Sequence, residues 1–296
     1  MPKETTKDRI KSALDRALAI IPQRKSDLRL HPIRVIDSIK SLIGIDLDNV
    51  NNDLVDLAES LIGNVDSCPK NTDRNDYIPK EVISFIDFEH SLVNGKSSDA
   101  KDILDDLSRV ADKRHIIEFL IEFSLKQSGE SFLFVWSIYK ILMFIDFDDI
   151  RWIYLANDAI FLDMLNDYPE PDKIVDFEES VTIKNIKDFD LASKLYQLST
   201  GEFVRKDRML FPAKILLNRK VVPDSIIHLS KNIITKEQSS MRRRCISSYI
   251  KSNIEKLTND DIILLDSARG IIYSNSDSKL HGAVFSYINN ELSIND

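Results

Sequence analysis

Apolar residues recur along this chain at helical spacing. Ile10, Leu14, Leu18 and Ile21 fall at i, i+4, i+8 and i+11, with Thr5 or Thr6 placed to cap the start and Pro22 to stop the run. The spacing predicts a helix over 6–21. It predicts a second over 32–43, where Ile33, Val35, Ile36, Ile39 and Leu42 precede Gly44, and a third over 47–61, which opens among Asp and Asn residues and stops near Gly63. Residues 65–80, VDSCPKNTDRNDYIPK, break the pattern with two prolines and no apolar period. Beyond them, apolar runs alternate with Asp, Asn and Ser at a spacing that suits helices better than strands. Helices are expected over 80–93, 98–110, 112–126, 131–145, 147–165, 171–177, 187–199, 207–217, 223–234, 239–255, 259–272 and 277–291. Only VTIKNI at 181–186 reads as strand-like. The expectation is an all-α protein: an N-terminal helical region over 1–65, a polar linker or loop over 66–79, and a helical-repeat domain over 80–296.

The repeat rests on recurring helix sequences. DSIIHL (224–229) precedes DDIILL (260–265) by 36 positions, and CISSYI (245–250) precedes AVFSYI (283–288) by 38. DDIRWI (148–153) stands 112 positions before DDIILL, close to three such periods. Two kinds of helix alternating with one period suit stacked pairs, because a single pair cannot bury both of its apolar faces. The pattern resembles HEAT-like α-solenoids, clearly over 200–296 and loosely over 98–200. The resemblance implies a small residue at one position of the helix, held here by Cys245 and Ala283. An irregular multi-helix bundle is the competing arrangement.

Composition narrows the function classes. The 296 residues include 7 glycines, where ordinary usage would give about 21. No two glycines stand close enough to form a nucleotide-binding G-x-G-x-x-G or a P-loop. Gly44, Gly63, Gly95 and Gly270 read instead as helix-end punctuation. Cys68 and Cys245 cannot build a disulfide framework or a four-thiolate zinc site. The start, MPKETTKDRIKSALDRA, is charged from its third residue, unlike a secretory signal. The longest charge-free apolar stretch, Ser131 to Tyr139, is too short for a membrane span. A soluble, cytoplasmic protein is the expectation. The net charge of −8 hides a polarity. Residues 1–40 carry 10 basic and 5 acidic side chains, 41–130 carry 9 and 19, 131–200 carry 6 and 13, and 201–296 carry 15 and 11. Basic ends flank an acidic middle, which suits an acidic partner or docking of the ends on the middle of another copy, so a homo-oligomer stays open.

Three constellations could carry chemistry. His115, Glu118 and Glu122 follow one another at helical spacing, with His90 on a neighbouring predicted helix. Carboxylate–histidine pairs on bundle helices bind metal ions when a second pair faces them. No second pair is present, so a solvent-facing stripe is the plainer reading, and no cofactor is expected. Both tryptophans, Trp136 and Trp152, fall in an aromatic span over 132–161, which reads as core or as an exposed anchor groove for a partner. Arg242, Arg243 and Arg244 open a predicted helix, and with Arg205, Lys206, Arg208, Lys214, Arg219 and Lys220 they make the C-terminal third basic. HEAT-like alkylpurine DNA glycosylases use such a basic concave surface, but the chain's acidic balance disfavours nucleic acid. No nucleophile signature is present, and Ser278, Lys279 and His281 read as ordinary helix-start residues. The function expected is a non-enzymatic scaffold or adaptor that binds a protein partner through Arg242, Arg243, Arg244, Trp136 and Trp152. The alternatives are a metal- or cofactor-dependent helical enzyme at His115, Glu118 and Glu122, and a nucleic-acid-binding or DNA-repair module in the basic C-terminal third.

Overall fold

A computed structural model describes residues 5–67, 84–164, 186–220, 236–274 and 278–292. The described residues are all-α, with no strand among them. The α-helices are α1 (Thr6–Ala17), α2 (Pro32–Ile43), α3 (Asn52–Ser60), α4 (Phe85–Val93), α5 (Ser97–Val110), α6 (Lys113–Ser124), α7 (Glu130–Phe144), α8 (Arg151–Leu162), α9 (Ile186–Thr200), α10 (Lys206–Lys220), α11 (Lys236–Asn253), α12 (Asn259–Ser274) and α13 (Ser278–Glu291). Short 3-10 helices occupy Lys25–Leu28 and Ile254–Lys256. No described helix is long and apolar enough to cross a membrane. The predicted helices at 171–177 and 223–234, and the strand-like 181–185, lie outside the described residues; Ile186 begins α9.

Capping fixes several boundaries. Thr5 accepts the Asp8 N–H while the Asp8 carboxylate accepts that of Thr5, which closes the start of α1. Asn51, Ser84 and Asp112 accept backbone N–H groups at the starts of α3, α4 and α6. The cap at Asn51 explains why α3 starts later than the pattern suggested. Asp146 and Phe147 both take a left-handed φ of 56°, so the chain leaves α7 there and α8 starts only at Arg151. The start of α7 has no side-chain cap of its own, since Gly129 stands there at φ 106°. Asp163, just past α8, takes over: it accepts the Ser131 N–H at 2.9 Å and the Ser128 hydroxyl, and pairs with Lys25 at 2.8 Å.

The chain divides into two compact units. Unit 1 comprises Met1–Ile33, Ile62–Tyr168 and Phe203–Arg205. Its central helix is α7, buried from Glu130 to Tyr139, which packs on α6 and α8. A helix apolar on all sides is one enclosed by neighbours. The N-terminal region is shared, with Met1–Ile33 in this unit and Arg34–Leu61 in the other, a different partition from a cut at 66–79. Asp15 of α1 pairs with Arg151 at 2.7 Å, Lys7 lies 5.7 Å from the Phe144 ring centroid, and the 3-10 helix at Lys25–Leu28 packs on α7 and α8.

Unit 2 comprises Arg34–Leu61, Pro169–Glu202 and Lys206–Asp296. Its central helix is α12, buried from Ile262 through Ala268, which packs on α9, α11 and α13, while α10 packs on α9. Its most extensive partner is α9. Gly270 is not helix-end punctuation: it lies inside α12, buried, where a Cβ would stand 2.0 Å from Gln197 Nε2 of α9. The missing side chain is what allows that close approach.

Candidate functional site

The Glu118 and Glu122 carboxylates, singled out from the sequence as metal-ligand candidates, meet arginines. Both stand on α6, one helical turn apart. Glu118 is 0% exposed; its Oε1 accepts Arg114 Nε at 3.0 Å and its Oε2 accepts the backbone N–H of Arg205 at 3.0 Å. Glu122 Oε2 accepts Arg205 Nε at 2.7 Å and lies 2.6 Å from Arg205 Nη2. The Arg205 guanidinium carbon is 5.1 Å from the Phe119 ring centroid and 5.8 Å from that of Phe85, so two aromatic faces and a carboxylate surround one cation. The hydrogen bond to Glu118 holds the Arg114 guanidinium pKa above its usual value.

An aromatic wall continues the site. The Phe203 ring lies 5.4 Å from Tyr139 and 5.9 Å from Trp136, and Tyr139 is 6.4 Å from Phe147. Burial raises the Tyr139 phenol pKa, against the opposing pull of Arg114. Every residue of this constellation belongs to unit 1, which includes Phe203–Arg205. His115, in contrast, is exposed, as is His90. Among the described residues, no group of three or more His, Cys, Asp or Glu side chains is placed to hold a metal ion.

The remaining candidates scatter. Trp136 and Trp152 are 3% and 2% exposed, so both rings are core and neither is an exposed anchor. Enclosure of α7 and α8 by neighbouring helices is the cause. Arg244 is exposed on α11, and the side chains of Arg242 and Arg243 lie outside the described residues. Of the other basic residues, Arg205 serves the α6 carboxylates and Lys206 donates to the Gly201 carbonyl at 2.9 Å, while Arg208 stays exposed.

Unit 2 holds a charge chain that sequence reading missed. Arg34 of α2 pairs with Asp190 of α9; Asp190 also accepts Ser267 Oγ at 2.7 Å and lies 3.9 Å from Lys194. Lys194 reaches Asp266 of α12 at 2.6 Å, and Asp266 takes Arg269 at 2.9 Å. Ser193 Oγ donates to the Ser267 carbonyl at 2.6 Å. Cations and carboxylates alternate along the buried α9–α12 contact, where each charge offsets the desolvation of the next. The only sequence signal is a charged residue inside an otherwise apolar helix face. Comparison of the chain with protein-family models, with curated proteins and with solved structures gives no match.

Proposed function

We propose that this chain is a non-enzymatic scaffold that binds an acidic protein partner through a helical surface, with α11 as the principal contact. The observation that carries the reading is the face of α11. Arg244 is exposed, and Ser248 and Lys251 follow it at i+4 and i+7 on the same solvent side. The i, i+7 spacing sets two cations in one stripe, and Arg242 and Arg243 precede it in sequence. Among the described residues, Lys251 faces Asp46 at 3.8 Å. By contrast, the buried carboxylates Glu118, Asp163, Asp190 and Asp266 each face a cation of their own unit. A HEAT-like stacking of helix pairs belongs to the same proposal, supported by the packing of α11, α12 and α13 in chain order.

The test is cross-linked affinity capture with the native chain and with an Arg242→Glu/Arg243→Glu/Arg244→Glu variant, followed by salt titration of each captured complex. The variant should lose a partner whose binding to the native chain weakens steeply with salt. An unchanged set of captured partners refutes the assignment to α11.

A further inference from the structure

We propose that the surface of unit 1 formed by α4, α6 and α7 is a recognition site for a peptide bearing an aromatic residue two positions before an arginine, and that Phe203–Arg205 is its intramolecular occupant. The seat reads out two side chains and one amide. Phe203 enters the aromatic wall of Trp136 and Tyr139. Arg205 lies over Phe119 and Phe85, with two of its nitrogens on Glu122, and its backbone N–H meets Glu118. Between them Val204 is 64% exposed. The side chains alternate in, out, in along the turn that leads into α10, so the seat reads this stretch from one side.

The chemistry is specific to a guanidinium. Two nitrogens of a planar fork reach one carboxylate while the plane stacks on rings, and a lysine ammonium reproduces neither contact. The seat also demands an occupant. Glu118 is fully buried, so departure of Arg205 leaves it with one fewer donor and leaves Glu122 without the two nitrogens it holds. A ligand offering the same aromatic, amide and guanidinium restores every one of those contacts. The occupant itself is small: only three residues of its stretch of chain count with unit 1, since Glu202 and Lys206 on either side belong to unit 2. Its release surrenders the packing of two side chains, the Arg205–Glu122 ion pair and one backbone hydrogen bond, within reach of a competing peptide. This inference concerns a surface separate from α11 and does not depend on that reading.

The probe is a fluorophore-labelled peptide of residues 201–208, GEFVRKDR, with a control carrying alanine in place of its arginine at position 205. A Phe203→Ala/Arg205→Ala chain, whose own occupant is disabled, should bind the probe saturably and ignore the control. The native chain should bind at least about tenfold more weakly, because its own segment competes at an effective concentration on the order of millimolar. A helical, cooperatively melting double variant that ignores the probe, or that takes up the control equally, overturns the proposal. Should the double variant fail to fold, the second arm uses a Val204→Cys chain in a Cys68→Ser/Cys245→Ser background, labelled at the exposed position 204. Excess unlabelled peptide must then raise the mobility of the label and the control must not; a label unmoved by millimolar peptide overturns the proposal. Neither arm touches α11, so failure here leaves the partner assay standing, and the reverse holds too.

Discussion

Acidification should unfasten the N-terminal segment at His31. This ring is 3% exposed, and both of its nitrogens are engaged. Nδ1 accepts the Ile33 N–H at 3.3 Å, so the ring proton sits on Nε2, which donates to the Ile20 carbonyl at 2.8 Å. The ring also packs edge-on to Phe134, with centroids 5.2 Å apart. A second proton on Nδ1 would face the Ile33 N–H, donor against donor. Burial lowers the pKa from 6.5 to about 4, although the Ile20 carbonyl and Asp27 pull the other way. The unfolded chain therefore binds a proton between those values that the folded chain refuses. Stability from this residue is complete above pH 6.5, falls as the pH drops through the interval, and is spent near pH 4. A drop of that size corresponds to about 3 kcal/mol at ~1.4 kcal/mol per pH unit. Urea unfolding at a series of pH values between 7 and 4, on the native chain and on His31→Gln, isolates the residue from every other titrating group. The native curve should lose about 3 kcal/mol more than the variant curve over that range. Two parallel curves would show that His31 is protonated in the fold and would refute the reasoning.

Further outcomes follow from the interior of each unit. Asp190→Ala removes the carboxylate that Arg34 and Lys194 both face in unit 2, and should cost about 3–5 kcal/mol in denaturant unfolding, a loss under 1 refuting it. Gly270→Ala sets the intrinsic helix gain of about 1 kcal/mol against displacement of the Gln197 amide, which donates to Ser193 at 3.2 Å. A double-mutant cycle with Gln197→Ala should therefore show Gly270→Ala more favourable in the truncated background, and strict additivity would dismiss the contact. Asn157, fully buried in α8, has neither amide atom hydrogen-bonded among the described residues. Asn157→Leu should leave the melting temperature unchanged or raise it, and a loss beyond about 2 kcal/mol would reveal a partner for that amide.

The helices were legible because their signals are local. Apolar spacing placed α2 over its observed span, and Asp112 announces α6 by residue type alone. The start of α8 was not legible, since nothing in Asp146–Phe147 marks two successive left-handed residues that delay it to Arg151. The division into two units was not legible for a related reason. A proline-bearing polar stretch marks a break in periodicity, but whether the segment before it packs elsewhere is decided by distant contacts such as Asp15–Arg151. Gly270 shows the same limit: a glycine four residues from a helix end resembles a stop signal until the neighbouring helix fills the space its side chain would need.

The candidate site divides along the same line. Carboxylates one turn apart on a helix are visible in any sequence, and chemistry alone cannot say whether a metal ion or an arginine neutralises them. The deciding group, Arg205, lies 83 residues beyond Glu122, inside a basic run that reads as a surface patch. Charge summed along a chain therefore misleads wherever ion pairs close over long separations. Arg205, Lys194 and Arg34 count toward the basic or acidic character of their segments, yet each is matched by a carboxylate inside its unit and contributes little to the field outside. The cations left to solvent after this internal matching include Arg208 of α10 and Arg244 of α11, a far smaller set than the basic count of the C-terminal third suggests.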